Sequence, residues 1–217
     1  MSSDLLFTKP AFYLFLLAVM VGLSFLKNKT GMRNAFLFAA SLFFYWKTSA
    51  AFVLLLLFST VADWGIAAAM DRSENVQRRL WLILSIFINL GLLGFFKYAY
   101  FFANSSAMLF DTSFRVGSIL LPVGISFYTF QTLSYSIDVY RRKVPPVKSL
   151  LDFGCYVTFF PQLVAGPIVR AKDFIPQLHR KYDLSRKEFH LGVWWILTGL
   201  VKKIVIADYI AMNLVDR

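Results

Sequence analysis

The sequence predicts an all-α membrane protein, a polytopic helix bundle with one re-entrant segment, on three observations. Hydrophobic residues make up 58% of the 217, with 18% aromatic and only 16% charged, a balance far more apolar than a soluble domain of this size carries. Several apolar runs approach the roughly 20 residues that a helix needs to cross a bilayer. No strand-like alternation competes with them. The net charge of +11 does not point to nucleic acid, because the lysines and arginines fall in short gaps between apolar runs and not on one polar face. The lone Cys155 has no partner for an intramolecular disulfide and reads as a small apolar packing residue.

The first run, about 10–26, lacks a basic leader and a small-residue cleavage site, so it predicts a retained helix and not a removed signal peptide. Helices follow at about 34–47, short enough to be tilted or partly interfacial, and at about 49–70 and 80–97. Residues 98–110 are aromatic and broken by Asn104, Ser105 and Ser106, which suits an interfacial segment. A fifth helix is predicted at about 117–140 and a last membrane or interfacial helix at 191–215, opened by a capping-box pattern in which Asp183 or Ser185 caps and Glu188 stands three residues after Ser185. All of this forms a single domain over 1–217.

Positive residues collect on the cytoplasmic side of membrane proteins. With the N-terminus outside, the inside loops 27–33, 71–79 and 141–148 hold ten lysines and arginines, against four outside (Lys9, Lys47, Lys97 and Arg115). The next polar loop, 170–190, is also basic and therefore also inside. Two consecutive inside loops cannot flank a complete crossing, so 150–169 must enter and leave on one side, reversing near Pro161–Pro167. Irregular backbone at membrane depth is tolerated only where it is buried in protein or lines a watery cavity. The stretch "FFPQLVAGPIVR" is therefore a candidate site wall: Pro161, Gly166 and Pro167 shape the turn, Gln162 is a polar wall group, and Arg170 stands at the cytoplasmic mouth.

Polar groups within apolar runs are the other candidates. Asp63 lies inside a predicted span, where an ionisable group costs about 2.5–3.5 kcal/mol and so faces a partner or a cavity; a functional role and a buried structural hydrogen bond are both open. Asp138 precedes Arg141 and Arg142 by three and four residues, the spacing of a helical ion pair. Gln131, Ser134, Tyr135 and Asp138 make one polar stripe, which faces a watery cavity or bonds a neighbouring helix. Lys202 and Lys203 interrupt the last apolar run and snorkel from it or bind an anion. His179 and His190 flank a solvated basic loop, and two histidines with one cysteine cannot close a zinc site, so no metal is expected.

Four blocks, "NLGLLGFFKYAYFF" (89–102), "LPVGISFYTFQTLSYSIDVYRRK" (121–143), "FFPQLVAGPIVR" (159–170) and "GLVKKIVIAD" (199–208), together resemble the membrane-bound O-acyltransferase family, in its bacterial branch that acetylates alginate and related exported polysaccharides. The resemblance implies a multi-pass enzyme of the bacterial inner membrane. It would carry an acyl group, acetyl in this branch, from a cytoplasmic donor (acetyl-CoA or an acyl carrier) through a tunnel towards a polysaccharide outside, with a periplasmic acetyltransferase as partner. Arg170, Lys202 and Lys203 would then hold the donor's phosphates. The resemblance covers the N-terminal half of the family pattern. It places the catalytic histidine beyond residue 217 and predicts that this chain alone is inactive. Two other readings remain open here: D-alanyl transfer to teichoic acids, and a non-catalytic membrane scaffold or transporter-like remnant.

Overall fold

A computed structural model describes residues 9–109, 121–163, 166–181, 185–211 and 213. These residues form helices and connecting turns, and there is no strand among them. They fall in two compact units, Thr30–Arg180 and Met1–Lys29 with Lys181–Arg217.

The larger unit holds α2 (Thr30–Ser49), α3 (Phe52–Asp71), α4 (Asn75–Leu109), α5 (Ile125–Tyr140), α6 (Leu150–Thr158), the single turn α7 (Phe160–Leu163) and α8 (Ala171–Leu178). The other holds α1 (Pro10–Phe25), which Pro10 opens at a position where its missing N–H costs nothing, and α9 (Arg186–Val201), which continues as a π-helical segment at Lys202–Asp208. At the start of α9 the Ser185 hydroxyl accepts from Glu188 N–H, and the Glu188 carboxylate accepts from Ser185 N–H at 2.9 Å. The alternative cap, Asp183, lies outside the described residues. Among the described residues, three segments are long and apolar enough to cross a membrane: Phe52–Asp71, Asn75–Ala99 and Arg186–Asp208.

Helix boundaries differ from the sequence reading in three places. α2 begins at Thr30, because Arg33 and Asn34 lie inside the helix and are buried by bonding to other elements. α4 runs for 35 residues, through the stretch read as an interfacial segment after position 97. No glycine or proline falls in 98–109 to stop it, and serine or asparagine in a helix costs only tenths of a kcal/mol. α5 begins at Ile125, behind Pro122 and a left-handed Gly124, whereas a start at 117 was expected; residues 117–120 lie outside the described residues.

α3, α4 and α5 pack together, with Leu56, Ala67, Met70, Tyr128 and Val139 in their shared core. α6 packs on α2 and α3. Gly124 sets how closely α5 meets α7: its φ is +74°, and a Cβ there would stand 2.6 Å from the Leu163 carbonyl oxygen. Left-handed backbone costs an L-residue about 1–2 kcal/mol, and the clash is with backbone that cannot rotate away. Gly124→Ala is expected to destabilise the detergent-solubilised protein by about 2–4 kcal/mol in a denaturation titration. Gly65→Ala, where a Cβ meets nothing within 4 Å, is expected to be neutral or slightly stabilising.

Candidate functional site

Asp63 stands at the centre of the α3–α4–α5 bundle and is fully buried. Its carboxylate accepts from Ser85 Oγ at 2.8 Å and from Asn89 Nδ2 at 2.9 Å on both oxygens. Thr132 Oγ1 donates to Asn89 Oδ1 at 2.9 Å, and Ser85 Oγ lies 3.0 Å from Ser136 Oγ. The carboxylate is thus shared among three helices by hydroxyl and amide donors, and no ion pair involves it among the described residues. Both alternatives for Asp63 required a partner. Ser85 and Asn89, which bond it, and Thr132 and Ser136, which bond those two in turn, were not singled out in the sequence, although Ser85 with Asn89, and Thr132 with Ser136, each show the i, i+4 spacing of one helix face.

The 150–180 region forms a hairpin against α2. Near its beginning, Asn34 Nδ2 donates to Asp152 Oδ1 at 3.0 Å, and Cys155 Sγ donates to Asn34 O at 3.1 Å. Further on, Phe160 N–H donates to Ser41 Oγ at 3.2 Å, seven residues and about 10 Å along α2. The chain then returns. Arg33, 4% exposed, donates to Arg180 O at 2.9 Å and also to Leu178 O, satisfying carbonyls at the C-terminal end of α8. Both ends of the hairpin therefore lie at the N-terminal end of α2. Cys155 is buried and suited to packing as a small apolar residue.

Of the predicted wall residues, Gln131 and Tyr135 reach from α5 to this hairpin and the segment before it. Gln131 Nε2 donates to Tyr156 O at 2.7 Å, and Tyr135 Oη accepts from Val147 N–H at 2.9 Å. Ser134 turns back to its own helix, donating to Gln131 O at 2.8 Å. Pro161 and Gln162 lie in α7. Gly166 N–H donates to Gln162 O at 2.9 Å, and a Cβ on Gly166 would come within 2.7 Å of Gln162 Cα, so the turn needs glycine there. Pro167 and Arg170 are exposed on the returning limb. Three buried polar atoms have no hydrogen-bond partner among the described residues here: Gln131 Oε1, Gln162 Nε2 and Tyr128 Oη. Tyr128 and Gln131 share one face of α5, and buried groups of this kind normally find partners.

Other sequence candidates are placed differently. Asp138 is half-buried but makes no ion pair with Arg141 or Arg142. The helix ends at Tyr140 and Arg142 has φ +57°, so helical i, i+3 and i, i+4 geometry no longer applies. Lys203 pairs with Asp208 five residues on, the offset of a π-helical hydrogen bond, and Lys202 is exposed. Arg170 belongs to the larger unit and the two lysines to the other. His190 is exposed. His179 Nε2 lies 3.1 Å from Asp152 Oδ2, a pairing that sequence spacing could not reveal across 27 residues. No group of three or more metal-ligating side chains occurs among the described residues.

No family model matches the chain, and no solved structure does. The chain is 39% identical over 216 residues to the probable alginate O-acetylase AlgI of Pseudomonas aeruginosa, covering 95% of this chain and 41% of that protein. It is 37% identical over 216 residues to the same-named protein of Azotobacter vinelandii, with 95% and 42% covered. It is 35% identical over 196 residues to the peptidoglycan O-acetyltransferase of Helicobacter pylori, with 78% and 37% covered. The chain therefore spans about two fifths of the length of these curated relatives.

Proposed function

The chain belongs with the membrane-bound O-acyltransferases, and from that premise we propose that it forms part of a bacterial inner-membrane enzyme that O-acetylates an exported polysaccharide. One observation carries this reading: relatives named for two different polymers, alginate and peptidoglycan, share O-acetyl transfer. The acceptor class is accordingly a polysaccharide hydroxyl, and the group moved is acetyl.

In this proposal the N-terminus lies outside, and the α5–hairpin junction forms one wall of the acyl path. Gln131, Gln162 and Tyr128 supply buried polar atoms there that have no partner among the described residues, in surroundings dry enough to suppress hydrolysis. Arg170, exposed on the returning limb of the hairpin, receives the phosphates of acetyl-CoA or of an acyl carrier, and a periplasmic acetyltransferase completes the transfer. Asp152 holds His179 by a hydrogen bond at the hairpin's base, a positioning arrangement and not an assignment of the base, which is given to a residue of the enzyme outside 1–217.

Deleting the gene in its own bacterium and measuring base-labile acetate on the exported polysaccharide by proton NMR tests the reading. Acetate should fall to background and return with a plasmid copy; unchanged acetate would overturn the proposal. Charge reversal at Arg170 should weaken acetyl-CoA binding at least about tenfold, and unaltered affinity would remove the phosphate role.

A further inference from the structure

An open groove of about 530 Å³ lies between the 143–149 segment and α8, and its lining does not include Gln131, Gln162 or Tyr128. Its lining is mainly apolar, from Val144, Pro145, Pro146, Ile175 and Pro176, while Lys143, Lys148 and Lys172 are exposed around it. Asp152 is the acidic residue of the lining, and its carboxylate is already engaged by Asn34 and His179. The groove is therefore cationic at its edge and apolar within.

Its depth follows from how it is anchored. Arg78 binds Met70 O together with Tyr140 O, so the ends of α3 and α5 lie side by side. The groove begins at Lys143, three residues past the end of α5. Its inner edge is pinned at Val147, whose carbonyl accepts from Trp64 Nε1 at 2.9 Å and whose N–H donates to Tyr135 Oη. Trp64 stands seven residues before the end of α3, about 10 Å inward. The headgroup layer is about 5–7 Å thick on each side of the hydrocarbon. Measured from the end of the apolar span Phe52–Asp71, this depth matches the level where headgroups meet acyl chains, which tryptophan and tyrosine favour.

We propose that this groove binds an anionic phospholipid of the cytoplasmic leaflet, its headgroup among Lys143, Lys148 and Lys172 and the upper part of an acyl chain over the proline-lined floor. A soluble phosphate compound would leave the apolar floor unused. An extended peptide would find no backbone donor at Pro145 or Pro146. A membrane lipid uses both parts, and basic residues near the surface each contribute about fivefold to anionic lipid affinity. The inference does not depend on acetyl transfer.

Native mass spectrometry of the purified full chain in neutral detergent, titrated with phosphatidylglycerol or phosphatidylcholine, tests it. Phosphatidylglycerol should bind at least about tenfold more tightly, and Lys148→Gln with Lys172→Gln should weaken it about 25-fold. Arg72→Gln with Arg79→Gln removes the same charge from exposed positions outside the groove and should change affinity by less than about threefold. Equal binding of phosphatidylcholine by the wild-type chain, or an equal loss in the arginine pair, would overturn the proposal. So would displacement of the lipid by inorganic phosphate or acetyl-CoA, which would assign the lysines to a soluble anion. The wild-type comparison of the two lipids decides the matter even if a variant fails to fold.

Discussion

Asp63→Leu is expected to destabilise the α3–α4–α5 bundle by about 2–4 kcal/mol in a denaturation titration of the detergent-solubilised protein. The substitution removes the acceptor for Ser85 Oγ and for Asn89 Nδ2. Hydrogen bonds between membrane helices average only about 0.6 kcal/mol each, so the lost bonds alone account for about 2 kcal/mol. The rest has two sources. Asn89 keeps one acceptor, the Ser85 carbonyl at 3.0 Å, and so has one amide hydrogen without a partner, and leucine overfills a fully buried site. Ser85 loses less, because it can donate to Ser136. Asp63→Asn keeps the shape and one acceptor oxygen, and should cost about 1 kcal/mol. A leucine variant as stable as wild type would show that the three-helix contact does not depend on this network. If Asp63→Asn kept its stability but abolished polysaccharide acetylation in cells, Asp63 would have a role beyond packing.

Much of the architecture could be read from the sequence because bilayer physics is severe. Long apolar runs, basic gaps and the Ser185–Glu188 spacing each have one dominant structural meaning, and α9 begins at Arg186 as that spacing predicts. The counting of charges by side also led to a chain that reverses within 150–169, and the described hairpin has both its ends at one end of α2. What could not be read depends on which faces meet. Arg33 and Arg78 were counted as loop charges, yet both are buried, because a guanidinium that satisfies helix-end carbonyls is worth more inside than in water. Asp63 stood out as an acid in an apolar run, but its partners come from two further helices. Asp138 had the spacing of an ion pair, and the end of the helix at Tyr140 removed the geometry on which that spacing relies.

Arg78→Met is expected to cost about 3–5 kcal/mol, measured in the same titration. Arg78 is only 7% exposed. Its Nη1 donates to Met70 O at 3.1 Å, its Nε to Tyr140 O at 3.2 Å and its Nη2 to Val139 O, while the guanidinium lies 5.9 Å from the Tyr140 ring centroid. One side chain thus closes the C-terminal ends of α3 and α5, where unpaired carbonyls carry the negative end of each helix dipole. Hydrogen bonds to charged groups contribute about 1.5–3 kcal/mol each, but these carbonyls lie at helix ends, and water reaching them offsets part of the loss. Methionine keeps much of the packing volume, so the change reports the polar contacts. Arg79→Met, at an exposed neighbouring position, should stay within about 0.5 kcal/mol. Arg78→Lys separates two explanations. If the residue served only as a positive charge fixing the orientation of the chain in the membrane, lysine would restore full stability. If the planar fork that reaches two helix ends at once is what matters, lysine should recover less than half of the loss, because an ammonium cannot span the three carbonyls together.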